Sequence, residues 1–300
     1  MWPHHHEGVR VGVIDVGSNT VRLHIADGDG PVCGRKALLG LGDSVERYGL
    51  IPPAKLDEAA ETVAGFVTEA RRRGAEEIEV LVTSPGRQAS NGELLIRRLE
   101  LASGVPVRLL SAVEEGRLGF VGAMTAVRGG GRKPVAVCDV GGGSSQIAVG
   151  TRRDGPAWVR SVDIGSMRLT SRSFPDDPPG LAELADARAE VARCFDGIVP
   201  PLPMRAYAIG GSARALRAFV GTSTLSTEEL EGAIEELATM PAAEVAIRAD
   251  CELGRARTLT AGAIILEAIC ERVHVPLEVV RRGGVREGAA IELGTRRLAA

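Results

Sequence analysis

The stretch VGVIDVGSNTVRLHIADGDG, Val11–Gly30, decides the fold. An apolar run ends in a bare acid, Asp15. Small polar residues follow at once (Gly17, Ser18, Asn19, Thr20), and then a second apolar run, Val21–Ala26. Two β-strands joined by a tight turn are the expectation. The pattern returns at VAVCDVGGGSSQIAVG, Val135–Gly150, where aligning V-x-V-x-D-V-G sets Asp139 on Asp15. Each copy opens a new series of strands and helices, so the chain reads as two similar α/β domains. Their expected spans are 1–127 and 128–300, with RGGGRKP, Arg128–Pro134, as the linker. The last helix, about 286–300, is expected to pack back on the first domain. The cleft between two such domains is the expected ligand site.

Working outward, strands are expected at Arg10–Ile14, Val21–Ala26 and near Val32–Leu39. A helix begins after Ile51, with prolines where a missing N–H costs little and an apolar stripe of Leu56, Ala59, Val63, Phe66, Val67 and Ala70. IEVLVTS, VPVRLLS, VAVCDVG, QIAVGT, WVRSVDIGS and LEVVRR read as further strands. NGELLIRRLELAS, AVEEGRLGFVGAMTAV, Leu181–Ile198, Ala213–Val220, a segment capped by Ser226 and Glu229, Arg257–Val273 and Arg286–Leu298 read as helices.

Composition excludes several classes of function. The net charge is −3 with both signs interspersed, which gives no support for a nucleic-acid partner. Clusters such as Arg71-Arg72-Arg73 read as solvated element ends. No apolar run reaches the roughly 20 residues a membrane span needs. The N-terminus lacks a secretory apolar segment, and five cysteines without CxxC spacing read as reduced thiols, so the expected location is cytoplasmic. His4-His5-His6 reads as a tag-like terminus.

A turn of Gly and small polar residues lets backbone N–H groups converge on an anion, with Ser and Asn adding donors. An acid beside such a nest repels phosphate unless a cation lies between them. Asp15 and Asp139 therefore point to Mg²⁺, or Mn²⁺ in its place. Either hairpin alone is equally explained as an ordinary turn. The pair, with Gly210-Gly211-Ser212 after a third apolar run, favours phosphate binding by Gly17, Ser18, Asn19, Thr20, Gly141, Gly142, Gly143, Ser144, Gly211 and Ser212. No P-loop and no dinucleotide fingerprint is present.

The segments IDVGSNTVRL, TSPGRQASN, SAVEEGRLGF, CDVGGGSSQ, GSMRLT, AIGGSARAL, RARTLTAGAIIL and GGVREGA occur in this order from Ile14 to Ala289. Together they resemble the exopolyphosphatase/guanosine pentaphosphate phosphohydrolase (Ppx/GppA) family, of the short two-domain type, within the actin-like superfamily. The resemblance implies two actin-like domains and hydrolysis of a terminal phosphoanhydride of polyphosphate or guanosine pentaphosphate. It also implies a homodimer.

Two adjacent acids open the helix after VPVRLLS. Ser111-x-x-Glu114 fits a capping box, which gives Glu114 a structural task. Glu115 has none, and the resemblance implies that Glu115 is the general base. Arg87, in the R-x-A-x-N of Arg87–Asn91 just after IEVLVTS, is implied as a phosphate-contacting arginine at the sheet edge, a surface salt bridge being the other reading; Asn91 reads as a helix cap. The metal set implied is Asp139, Asp15 and Gln146. Gln146 departs from the family, which carries Glu after its glycines; an amide can ligate through its carbonyl but removes one charge. Gly254 stands where the family often has an acid, and Pro85-Gly86 makes an unusual loop. Arg168 reads two ways, as a contact to further phosphates or as a helix-surface arginine. Arg286-Glu287-Gly288 reads as a structural junction returning the last helix toward the first half, or else as a substrate contact. Beside hydrolysis of polyphosphate or of guanosine pentaphosphate stands a non-catalytic sensor of either ligand, and more remotely an actin-like kinase.

Overall fold

A computed structural model describes residues 9–27, 30–129 and 131–299. His4–His6, and Gly130 of the expected linker, lie outside these. The chain divides into two units, residues 1–122 with 285–300, and residues 123–284.

The first unit is built from β1 (Val11–Val16), β2 (Thr20–Asp27), β3 (Gly30–Leu38), α1 (Leu41–Tyr48), α2 (Pro53–Arg72), β4 (Glu77–Val82), α3 (Ser84–Gln88), α4 (Gly92–Ser103) and β5 (Val107–Leu109), and α5 (Ala112–Ala126) begins in it. The second contains β6 (Pro134–Val140), β7 (Ser145–Thr151), β8 (Gly155–Val162), α6 (Ser166–Ser173), α7 (Leu181–Cys194), β9 (Arg205–Ile209), α8 (Gly210–Val220), β10 (Thr224–Leu225), α9 (Thr227–Leu237), α10 (Ala242–Arg248), α11 (Leu253–Ala256), α12 (Leu259–Val273) and β11 (Leu277–Val279). The closing helix, α13 (Val285–Ala299), belongs to the first unit.

The repeated sequence becomes a repeated topology. The first sheet is ordered β3-β2-β1-β4-β5 and the second β8-β7-β6-β9-β11, with β10 added at one edge. In both, the opening strand pairs antiparallel with the next strand and parallel with the fourth. This is the duplicated actin-like α/β arrangement. Asp15 and Asp139 occupy the same place in it. Asp15 faces Arg22 across β2, and Asp139 faces Gln146 across β7.

β1 reads as an unbroken apolar run because both its faces are covered. Ile14 and Val16 join the core made with the α2 stripe Leu56, Ala59, Val63 and Val67 and with Leu95 and Leu99 of α4. Val11 and Val13 turn the other way, toward Leu118 of α5 and Ala289 and Ala290 of α13. Gly288 permits that second layer: a Cβ there would lie 2.1 Å from the Leu118 carbonyl oxygen. In the second unit, α12 is buried along most of its length against α7, α8 and α9. Ser226 and Glu229 form the expected capping box on α9.

Four short helices (α1, α3, α10, α11) were not set out by the sequence pattern, since eight residues or fewer complete too few turns to show a period. Gly210–Ser212, outside the expected helix Ala213–Val220, form the first turn of α8. Arg87 lies inside α3 rather than at a bare sheet edge. Pro85 starts that helix, and Gly86 lets it seat on Val82 and Leu109, where a Cβ would come within 2.5 Å and 2.8 Å of their side chains.

Candidate functional site

The two sequence-predicted catalytic residues meet in the first unit. Arg87 Nη2 donates to Glu115 Oε2 at 2.8 Å, and Nη1 of the same guanidinium donates to the Leu110 carbonyl at 2.9 Å. Their side chains are only 16% and 12% exposed, so the pair is shielded from water. Glu114 is occupied elsewhere. Its N–H donates to Ser111 Oγ at 3.2 Å, and the Ser111 N–H donates to Glu114 Oε2 at 2.9 Å. Hydrogen bonds to the carboxyl from the Ser111 side chain and then from its N–H hold Glu114 below its usual pKa. The helix-start geometry thus separates a capping acid from its neighbour, as the spacing implies.

The turn Gly17–Thr20 adjoins α3 through Ser18 Oγ and Ser84 Oγ, 2.6 Å apart. The Gly17 N–H donates to the Thr20 carbonyl at 3.0 Å. The Ser18 and Asn19 carbonyls, which would repel an anion, accept from the N–H groups of Gly42, Leu39 and Gly40. Asp15 stands at the end of β1 beside Arg22, Arg286 and Glu287. Burial raises its pKa, the two arginines oppose that, and Glu287 reinforces it. Arg286-Glu287-Gly288 is therefore more than the structural junction expected: Gly288 makes the junction, while the two charges bear on Asp15.

The second unit repeats the turn. The Gly141 N–H donates to the Ser144 carbonyl at 3.0 Å. The Gly141 and Gly142 carbonyls accept from the N–H groups of Ser166, Met167 and Arg168 in the first turn of α6. Gly165 makes this approach possible, since a Cβ there would lie 2.4 Å from the Gly142 carbonyl carbon. Each turn thus has two carbonyls tied back, which lessens their repulsion of an anion. Gln146 is buried, and its Nε2 donates to Ser144 Oγ and Ser161 Oγ, each at 3.0 Å.

Gly211 and Ser212 open α8, whose N-cap, Ile209, offers no side-chain acceptor. The end of such a helix carries unsatisfied N–H groups and a positive dipole, which suit an anion. Gly210, at φ +91°, abuts Asp139, whose Oδ1 would lie 2.4 Å from a Cβ there. Over Gly211 lies Arg255, a residue the sequence reading passed over. A Cβ at Gly211 would sit 2.7 Å from its Nη2. Arg255 Nη1 donates to Ser212 Oγ at 3.1 Å, Ser166 Oγ at 3.4 Å and Thr258 Oγ1 at 3.5 Å. Among the described residues it makes no salt bridge to a carboxylate. Burial pulls its pKa below the usual arginine value, with Arg214 adding to the pull; Cys251, Asp139 and Glu252 act against it. Its trace in the sequence is indirect: Gly211 and Gly262 are small because Arg255 and Ser212 lie against them.

Two expectations are corrected. Asn91 sits at the N-cap of α4 but makes no cap bond; its amide instead clasps the backbone of Ile51, accepting from N–H at 2.9 Å and donating to C=O at 2.8 Å. Arg168 is not a surface arginine: it is 7% exposed and its Nη1 donates to the Asp163 carbonyl at 2.8 Å. Among the described residues no three His, Cys, Asp or Glu side chains gather where they could cage a metal. The donors present, one carboxylate in each turn with hydroxyl and amide oxygens nearby, suit Mg²⁺ that takes its other ligands from water and phosphate.

Exopolyphosphatase 1 of Mycobacterium tuberculosis is 29% identical over 300 residues, covering 93% of this chain and 87% of that protein. Exopolyphosphatase 2 of the same species is 26% identical over 316 residues, covering 95% and 98%. The crystal structure of an exopolyphosphatase from Cytophaga hutchinsonii superposes with a TM-score of 0.82 at 23% identity, covering 96% of this chain and 98% of that one, which shows a shared fold. The model of the Ppx/GppA phosphatase family matches residues 25–296, so the chain belongs to that family.

Proposed function

We propose that this protein is an exopolyphosphatase, a hydrolase that removes the terminal phosphate of inorganic polyphosphate as orthophosphate. The observation that carries this reading is the Arg87–Glu115 pair, a carboxylate held in one orientation and largely out of water. The names of the two mycobacterial relatives favour polyphosphate as the substrate. In this reading Glu115 accepts the proton of the attacking water. Arg87 orients Glu115 and offsets charge on the phosphoryl oxygens. The two turns, the start of α8 and Arg255 bind phosphates. Mg²⁺, when bound, would neutralise phosphate charge, with Asp15 as its candidate carboxylate in the first unit and Asp139 in the second. The protein's own share of catalysis is positioning and electrostatics.

Orthophosphate release by the purified chain, measured in parallel from long-chain polyphosphate, guanosine pentaphosphate and ATP with Mg²⁺, tests the reading. Release from polyphosphate that Glu115→Gln abolishes is the expected result. Release from guanosine pentaphosphate alone would replace the substrate and keep the mechanism. No release from any of the three, with polyphosphate still raising the Tm, would replace hydrolysis by sensing.

A further inference from the structure

Gln146 is buried, and both hydrogens of its amide nitrogen are spent on hydroxyl oxygens, those of Ser144 and Ser161. A hydroxyl that accepts a hydrogen bond keeps its own proton to give away. Ser161 is partly exposed and can give its proton to water. Ser144 is 2% exposed, and among the described residues no protein group accepts its proton. A buried donor without an acceptor is costly, so it calls for a ligand that accepts. Ser144 closes the turn whose carbonyls are already tied to α6.

A glutamate at 146 would invert this. A carboxylate only accepts, so both serines would donate to it, and Ser144 would present lone pairs to a ligand. Lone pairs suit a cation or its water and repel a phosphate oxygen. We propose that Gln146 is a positioning residue that makes Ser144 a hydrogen-bond donor to phosphate. The β6–β7 turn thereby binds a polyphosphate oxygen directly, without a divalent cation at that point. The proposal rests on the reading of this turn as a phosphate site and is independent of hydrolysis.

The test is calorimetric titration of tripolyphosphate into the Glu115→Gln protein, which leaves the ligand intact, in EDTA and again in Mg²⁺. The Gln146 protein is expected to bind in EDTA. Ser144→Ala is expected to weaken that binding by about tenfold or more, the loss of a hydrogen bond to a charged group. Gln146→Glu is expected to weaken binding in EDTA to a similar degree and to make Mg²⁺ restore it. In the Gln146→Glu background, Ser144→Ala should add little, because the two changes act through one hydrogen bond. Ser144→Ala removes one oxygen atom, so it keeps the test open should Gln146→Glu not fold. The proposal is overturned by failure to bind in EDTA, by equal binding of Gln146→Glu there, or by an equal cost of Ser144→Ala in both backgrounds. Orthophosphate release by the unmodified chain separates the two readings. Hydrolysis can fail while this binding pattern holds, and the pattern can fail while hydrolysis stands.

Discussion

Arg87 grips Glu115 with one arm of its guanidinium and the Leu110 carbonyl with the other, at 2.8 Å and 2.9 Å. A planar fork fixed at both ends sets the direction of the carboxylate, which a flexible ammonium cannot do. Glu115→Gln should lower kcat by about 10²–10⁴, the range of a lost general base. Arg87→Lys keeps the charge and loses the fork, so kcat should fall by about one to two orders of magnitude while the fold persists. Steady-state orthophosphate release and circular dichroism check both. A kcat unchanged in Arg87→Lys would show that charge alone suffices.

Glu114, one residue away, should behave in the opposite manner. Its carboxylate caps α5, so Glu114→Gln should cost about 0.5–1 kcal/mol of stability and leave kcat intact. The cost should depend on pH. The folded pKa is depressed by the bonds to Ser111, so this stabilisation is present above the unfolded carboxylate value and fades as pH falls through the folded one. Melting curves of the two proteins should therefore differ at pH 7 and converge in acid. A difference that persists at low pH would assign it to something other than the ionised cap.

The repeat V-x-V-x-D-V-G carried the fold, because a motif that recurs at the start of each unit fixes the same strand order twice. The acids of α5 were legible for a similar reason, since a capping box is local and leaves the next residue unexplained. What the sequence hid was closure over long separations. Arg255 reaches Ser212 from 43 residues away, and Asn91 reaches Ile51 from 40. No spacing rule joins such pairs. Asn91 read as a cap because its neighbours along the chain allow one, and tertiary contact overrode that preference. Gly210–Ser212 fell outside the expected helix Ala213–Val220 because glycines punctuate sequence, yet here they serve close approach by Asp139 and Arg255.

Arg255 sets ligand binding against stability. A part-buried cation that is set among hydroxyls and, among the described residues, forms no salt bridge costs folding energy until an anion arrives. Arg255→Met should leave the ligand-free Tm equal or higher and weaken tripolyphosphate binding. A ligand at a hundred times Kd stabilises by about 2.7 kcal/mol, and a tenfold loss of affinity reduces this to about 1.4 kcal/mol. Thermal melts with and without tripolyphosphate check this. A lower ligand-free Tm combined with an undiminished ligand shift would make Arg255 a structural residue.

Gly288 and Gly294 lie on the same helix and should respond in opposite directions to the same change. At Gly288 a new Cβ would meet the Leu118 carbonyl oxygen at 2.1 Å and the Gly122 nitrogen at 3.1 Å, both backbone atoms of α5. Backbone inside a helix cannot rotate away as a side chain can, so α13 must lift from α5. Gly288→Ala should cost about 1–3 kcal/mol, the usual cost of overpacking. At Gly294 a Cβ meets nothing within 4 Å. There the higher helix propensity of alanine should act alone and stabilise by up to about 1 kcal/mol. Hydrogen exchange locates the effect. In Gly288→Ala, protection should fall in β1, α5 and α13, since Val11, Val13, Leu118, Ala289 and Ala290 form one small core. The strands β6, β7 and β9 of the second unit should keep theirs. Equal destabilisation by both substitutions would mean that α13 tolerates no added methyl group anywhere, and the close contact with Leu118 would not be the cause.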